Sequence, residues 1–287
     1  MPEDMSEESP VEELADWSDR LERAVVGTRF DAGRVRVMAT CDSTQDHARN
    51  LGAGAVVTTG RQVAGRGRLG RSWIDDRGAG LAVSLALPAL ASDLACIAIA
   101  VATLDAVRCS LEACGTGGSE AGGRLGLKFP NDLVDRRTGR KVAGILVEVV
   151  DGIAVVGIGI NVGIRDWPSG LNAIALEEIL EGSRVRIPPR IEILEHLLPA
   201  VDRAWAASPT DLDRRFAVDH APTGERVEIE EDVLGGSSRR IRGTLRGFDP
   251  RRTLEVENDD GLVVITAARA RILSWGRAIS GPDRSGT

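Results

Sequence analysis

The stretch KVAGILVEVVDGIAVVGIGINV, residues 141–162, decides the fold. Two β-branched, apolar arms flank Asp151-Gly152, a pair suited to the tight turn of a β-hairpin. Arms this apolar belong at the centre of a sheet, and the hairpin is placed there over 144–162. Upstream, RVRVMAT (34–40) alternates and reads as a strand. CDSTQDHARNLG (41–52) opens a helix: Ser43 and Asp46 match a loose capping box and Gly52 is the stop. AVVTTG (55–60) and LAVSLALP (81–88) are strands, and between them lies the glycine–arginine run QVAGRGRLGRSW (62–73).

Residues 92–113 carry apolar side chains at Ile97, Val101, Leu104, Val107 and Leu111, which predicts a helix. GTGGSEAGG (115–123) reads as a flexible surface connection. LGLKFPNDLV (125–134) is a strand entering a proline turn. A second helix covers 189–206, with Pro199 bending or ending its first part. After residue 218 the pattern shifts to short alternating strands: ERVEIEEDV (225–233), RRIRGTLRGFD (239–249), RTLEVEN (252–258) and LVVITAARARIL (262–273). Asp249-Pro250 and Asp260-Gly261 sit at turns, and strands so short and close suggest a small barrel. The expected fold is therefore α+β: a mixed sheet flanked by helices over 31–217, then a small β-barrel over 218–279. An acidic leader, 1–30, expected to be poorly ordered, precedes them, and a disordered tail, 280–287, follows.

At 287 residues and 43% hydrophobic, the chain can bury a core. No apolar run reaches the roughly 18 residues of a membrane span. The opening MPEDMSEESPVEE has no apolar signal region, so a cytoplasmic location without membrane contact is expected. Net charge is -7, which opposes general nucleic-acid binding. Nine Asp or Glu precede Arg23. The leader is too short and too acidic for a helix-turn-helix, so no DNA partner is expected. An amphipathic helix around 11–26 is compatible with it, with little core. Cys41, Cys96, Cys109 and Cys114 form no C-x-x-C pair, and His is limited to His47, His196 and His220, which argues against a zinc site. Cys96 and Cys109 are expected as small buried hydrophobes.

Two features carry chemistry. Gly65-Arg66-Gly67-Arg68-Leu69-Gly70-Arg71 interleaves three Arg with three Gly. Glycine lets a ligand approach the backbone, and guanidinium groups suit phosphate and carboxylate. Set between two apolar strands, the run reads as a mobile, anion-ordered lid. It is neither a P-loop nor a dinucleotide fingerprint. The second feature is Lys128-Phe129-Pro130-Asn131-Asp132, followed by Lys141 at the mouth of a strand near Gly144. Of 36 basic residues only Lys128 and Lys141 are lysine. Both flank one turn-and-strand unit in a chain that otherwise uses Arg, which favours a functional role.

CDST, QxAGRGRxGRxW, KFPND, RKxAGILVE and GIGINV, in this order and spacing, resemble the biotin protein ligases, strongly over about 34–165. The resemblance implies a single-function, ligase-only form whose barrel is SH3-like. It implies that biotin and MgATP give biotinyl-5'-adenylate and pyrophosphate, and that biotin then passes to a lysine of a biotin carboxyl carrier domain. It places Ser43, Thr44, Gln45, Gln62, Gly65, Arg66, Gly67, Arg68, Lys141 and Gly144 on biotin. Arg66, Arg68, Arg71, Trp73, Lys128, Asn131, Lys141 and Asn161 fall on ATP. Lys141, Arg68 and Asp132 are the implied catalytic groups, with Asp132 deprotonating the acceptor lysine. Mg²⁺ would ride on the ATP phosphates rather than on a protein site. The assembly would be a monomer or homodimer. Three positions depart from the common pattern: Gln45 stands for Asn, Phe129 for Trp, and Gly60 for an acidic residue. Two alternatives are a lipoate or octanoate ligase of the same fold, opposed by the AGRGRxGR run, and a non-catalytic nucleotide- or RNA-binding protein, opposed by the acidic charge and the paired lysine motifs.

Overall fold

The structure, a computed structural model, describes residues 14–73, 79–163, 167–233 and 237–276. The readings for 1–13 and for the 280–287 tail lie outside the described residues. In chain order the elements begin with α1 (Trp17–Ala24), β1 (Val35–Cys41), α2 (Thr44–Leu51), β2 (Val56–Gln62), β3 (Gly65–Arg66), β4 (Ser72–Trp73) and β5 (Gly80–Pro88). Then come α3 (Ser92–Ala113), α4 (Gly118–Gly123), β6 (Leu125–Lys128), β7 (Asp132–Asp135), β8 (Lys141–Val150) and β9 (Ile153–Asn161). They are followed by α5 (Leu176–Leu180), α6 (Arg190–Ala206) and α7 (Pro209–Asp219). The chain finishes on β10 (Arg226–Val233), β11 (Ser237–Phe248), β12 (Thr253–Asn258), β13 (Gly261–Thr266) and β14 (Ala270–Trp275).

The Asp151-Gly152 turn forms as read, with both residues at positive φ. It joins β8 to β9, and β9 is the middle strand of a seven-stranded sheet ordered β1-β2-β5-β9-β8-β7-β6. β1 and β2 run parallel; every other neighbouring pair is antiparallel. The sheet is mixed and flanked by helices, as expected. Apolar side chains of β5, β8 and β9 bury against α3, whose Ile97, Val101, Leu104, Val107 and Leu111 are all in the core. That helix is long and apolar enough to cross a bilayer, but most of its most apolar stretch is buried inside the protein.

Several local expectations are corrected. The leader is not poorly ordered over 17–30: it forms α1 and contributes core, with Trp17, Leu21, Val25 and Phe30 buried. Trp17, Leu21 and Val25 recur every fourth residue and form one apolar face, which a count of charges hides. Arg20–Glu195 and Arg29–Asp202 ion pairs tie this segment to α6. Pro199 does not end α6, which runs through it; buried Leu194, Leu197, Leu198 and Val201 hold the helix where a backbone bond is lost. The glycine-rich 115–123 contains the short helix α4, with Gly118 and Gly122 buried. A side chain at Gly118 would collide with the backbone at Leu111, so glycine permits close packing on α3. Cys96 is half-buried and Cys109 exposed, so neither is the buried hydrophobe expected; Cys109 lies on the outer side of α3.

The C-terminal strands form a separate antiparallel sheet, β13-β12-β11-β10-β14, with its own core of Val227, Ile229, Leu245, Leu254, Val256 and Ile265. This sheet is open: β13 and β14 are its edges and do not pair with each other among the described residues. Phe248 from it packs edge-on against Phe129, with ring centroids 5.6 Å apart, and stacks on His220 at 3.8 Å.

Candidate active site

Strand register builds the site. Asp132 on β7 pairs with Gly144 on β8, Gly144 with Gly159 on β9, and Gly159 with Ala82 on β5. Directly paired residues share one face of a sheet, so the row leaves a flat floor with no side chains at its middle. A Cβ at Gly159 would lie 2.5 Å from Trp73 Cε2 and Cζ2, and one at Gly144 would lie 2.6 Å from Lys141 Nζ. The indole of Trp73 and the ammonium of Lys141 therefore rest on backbone where only glycine fits. Trp73 Nε1 is buried there without an acceptor, a state that costs about 1–3 kcal/mol and marks a place for a ligand oxygen.

Lys141 Nζ is 2.6 Å from Asp132 Oδ1. That oxygen is buried and makes no hydrogen bond, so the contact is one of charge. Arg68 Nη1 donates to Asn131 Oδ1 at 2.7 Å, and Asn131 Nδ2 donates to the Ile145 carbonyl at 2.7 Å. Asn161 Nδ2 donates to the Lys141 carbonyl at 3.1 Å. Lys141, Asp132, Gly144, Arg68, Asn131, Asn161 and Trp73 are thus brought together. Lys128 is placed to the side, its Nζ 5.2 Å from the ring centroid of Trp275 in the C-terminal sheet. Burial pulls its ammonium below the ordinary lysine value, with Asp132 opposing.

A buried polar network adjoins the floor. Ser43 caps α2 and accepts from the Gln45 backbone N–H. Gln62 Oε1 accepts from the Thr44 N–H at 2.9 Å and the Thr44 hydroxyl at 3.1 Å. Gln45 Nε2 donates to the Val155 carbonyl at 2.9 Å, and its Oε1 lies over Gly157, where a Cβ would come within 2.6 Å. Gly65 is held close to Gln62 Nε2 and to the Trp73 carbonyl, distances that again exclude a side chain.

The glycine–arginine run is more ordered than its composition suggests. Gly65–Trp73 and Arg66–Ser72 pair as a two-stranded ribbon, and the Gly67 N–H donates to the Arg71 carbonyl at 2.7 Å. The ribbon lines a cleft of about 600 Å³ together with Arg61, Leu146 and Glu148. Arg66 is turned away from Lys141, with Nη2 2.7 Å from Asp46 and 3.9 Å from Glu148, and Arg71 is exposed. Among the described residues no three His, Cys, Asp or Glu cluster as metal ligands.

Residues 33–164, which hold nearly all of this site, match the model of the biotin/lipoate A/B protein ligase family. The chain is 30% identical over 249 residues to the biotin–[acetyl-CoA-carboxylase] ligase of Paracoccus denitrificans, spanning 81% of this chain and 98% of that one. The chain belongs to the biotin/lipoate A/B protein ligase family. It is 28% identical over 222 residues to the biotin–[acetyl-CoA-carboxylase] ligase of Mycobacterium tuberculosis, covering 75% of this chain and 77% of that protein. The fold is similar to that of an Aquifex aeolicus biotin protein ligase in complex with biotin and ATP, with a TM-score of 0.64 at 24% identity, over 83% of this chain and 98% of that one.

Within this family framework, two features escaped reading from the sequence, and a third, named there, gains its reason. Ser84 lies 2.8 Å from Thr44 Oγ1 and donates to Gln45 Oε1 at 3.0 Å, joining the polar network. Its only signal is a hydroxyl inside the apolar strand LAVSLALP. Gly157 and Gly159 form the floor, and their signal is the alternate-residue spacing in GIGIN. Gly60, the family departure, is explained by crowding: a Cβ there would meet the Ala39 carbonyl at 2.8 Å and Leu14 Cδ1 at 2.9 Å.

Proposed function

We propose that this chain is a biotin protein ligase that activates biotin with MgATP and transfers it to a lysine of a biotin carboxyl carrier domain. One observation carries the reading: Lys141, its partner Asp132, and Trp73 meet on a glycine floor beside the Arg68–Asn131 pair. In the first half-reaction a biotin carboxylate oxygen attacks the α-phosphorus. The bond from phosphorus to the bridging oxygen breaks, and pyrophosphate leaves. Two anions must approach each other, so alignment and charge compensation are the task. Lys141 exchanges Asp132 for the carboxylate and α-phosphate, and Arg68 exchanges Asn131 for phosphate oxygen. Arg66 swings in from Asp46 to cover the adenylate, and Gly65, Gly67 and Gly144 let backbone approach it. Ser43, Thr44, Gln45 and Gln62 hold the biotin head. Trp73, Arg71, Lys128, Asn131 and Asn161 face the nucleotide, whose Mg²⁺ arrives with the phosphates as part of the substrate.

In the second half-reaction the carrier lysine, neutral, attacks the acyl carbon. The bond to the AMP phosphate breaks, AMP leaves, and Asp132 Oδ1 takes the amine proton. The C-terminal sheet, with five short antiparallel strands and its own core, is the counterpart of an SH3-like module, following a catalytic unit of about 31–217. The acidic net charge favours the carrier domain over DNA as partner, in the cytoplasm, with the enzyme acting as a monomer or homodimer.

The test is pyrophosphate release from MgATP with biotin, lipoate or octanoate, followed by mass analysis of a carrier domain. Release with biotin alone and one added biotinyl group on the carrier are expected. Lys141→Ala should abolish release in a folded protein. Release with lipoate or octanoate instead of biotin would move the substrate, and silence with all three would overturn the reading.

A further inference from the structure

A buried arginine far from the proposed chemistry holds the frame of the site. β2 and β5 pair as far as Thr59↔Ala82 and no further. Beyond that point the strands part. Gln62 continues from β2 into the ribbon, while Gly80 pairs on its other side with Asn161. Into this fork projects Arg190, the first residue of α6. Its Nη1 donates to the Gly60 carbonyl at 3.0 Å and the Gly80 carbonyl at 3.1 Å. One guanidinium nitrogen thus spans the two strands where their ladder stops. Gly60 is two residues before Gln62, and Gly80 is opposite Asn161. The N-terminal segment backs this wedge. Arg190 Cζ lies 5.4 Å from the ring centroid of Trp17, and Leu14 fills the space beside Gly60 where a side chain would stand.

We propose that Arg190, seated on Trp17, is a positioning residue that fixes the β2/β5 fork and thereby the separation of Gln62 and Asn161. The wedge sets the width of the site between the residues assigned to the biotin head and those assigned to the nucleotide, so it acts through them and touches neither substrate. A fork held by hydrogen bonds to two carbonyls has a defined width, and a fork held by apolar packing alone does not. The proposal rests on the biotin ligase reading for its kinetic consequence, though not for its structural one.

Arg190→Met keeps length and apolar contact with Trp17 but donates nothing. The expected result is a rise of about tenfold or more in KM for biotin or ATP, as for loss of buried charge-assisted hydrogen bonds, with kcat changed less than threefold. Arg190→Lys, which keeps the charge, should recover part of the loss. A second readout needs no activity: tryptic cleavage within 61–71 should accelerate in Arg190→Met relative to cleavage at Arg239 and Arg240 in the same molecule. If Arg190→Met does not fold, Trp17→Leu is measured instead, with a smaller shift of the same sign expected. Unchanged KM in folded variants, or cleavage that rises equally at both places, would overturn the proposal. Wild-type protein that releases no pyrophosphate would overturn the ligase reading, while the cleavage ratio would still decide the role of Arg190.

Discussion

Replacing Gly159 by Ala adds one methyl group at the centre of the floor. Its Cβ would lie 2.5 Å from two carbons of the Trp73 ring, whereas ordinary contact begins at 3.4 Å. The ring must therefore retreat by about 1 Å, the misplacement that costs on the order of 10²-fold in rate. It cannot slide sideways cheaply, because the Trp73 backbone is paired with Gly65, itself against Gln62. The backbone at Gly159 is not in the left-handed region, so alanine adds no φ strain and the effect isolates the clash. The assay is steady-state biotin-dependent pyrophosphate release, with thermal unfolding as a control. We expect kcat/KM to fall about 10²-fold while the Tm moves by a few degrees. Gly123→Ala, at a position with open space, should be neutral. Trp73→Phe in the Gly159→Ala background should restore part of the activity, because the two changes share one contact. A Gly159→Ala enzyme within threefold of wild type would refute the floor as a substrate-bearing surface.

Asp132→Asn should leave adenylate formation within tenfold of wild type but slow transfer to the carrier lysine by about 10²-fold or more, measured by isolating each half-reaction; equal slowing of both would refute the base assignment. Arg68→Ala should speed loss of bound adenylate about tenfold in a stopped-flow chase, and unchanged formation and loss would contradict its role on phosphate. His220 is 2% exposed and held at about 3 against an ordinary 6.5, by burial first and then by Arg136 and Lys128. Above pH 6.5 it is neutral folded or unfolded. As pH falls from 6.5 toward 3 only the unfolded chain takes up its proton, so stability is lost across that window by up to about 1.4 kcal/mol per pH unit. His220→Phe should gain stability over wild type as pH falls through 6 to 4 in urea titrations, and parallel pH profiles would contradict this.

The central hairpin was legible because Asp151-Gly152 between two apolar arms leaves few other options. The candidate site was legible in part where chemistry and scarcity coincide: Lys141, Arg68 and the Asn131-Asp132 end of the KFPND turn come together, whereas Lys128, Arg66 and Arg71 stand off from them. What stayed hidden depends on contacts between distant strands. The alternation in GIGIN shows that Gly157 and Gly159 share a face, but only the pairing of β9 with β5 and β8 shows that this face meets Trp73, Gln45 and Ser84. Trp17 and Leu21 were obscured by the acidic residues around them. Arg190 could not be read at all, because two of its partners are backbone carbonyls of strands more than 100 residues away.

Three of the five cations assigned to the substrates hold an acceptor of the protein: Lys141 on Asp132, Arg68 on Asn131, Arg66 on Asp46. Of the three only Lys141 is half-buried, so it is the cation for which an internal partner matters most before an anion arrives. The choice of partner has a consequence for the order of events. On the proposed reading Lys141 exchanges Asp132 for the carboxylate and α-phosphate, and this would uncover an Asp132 oxygen that has no hydrogen bond of its own. In that reading the base proposed for the second half-reaction is masked by the cation proposed for the first, and would be released when that cation engages the substrates. A carrier lysine arriving before the adenylate exists would find Asp132 already paired. Sequential use of one ion pair would then couple the two proposed half-reactions. Asp132→Asn and Lys141→Ala should accordingly fail at different half-reactions even though the two side chains touch.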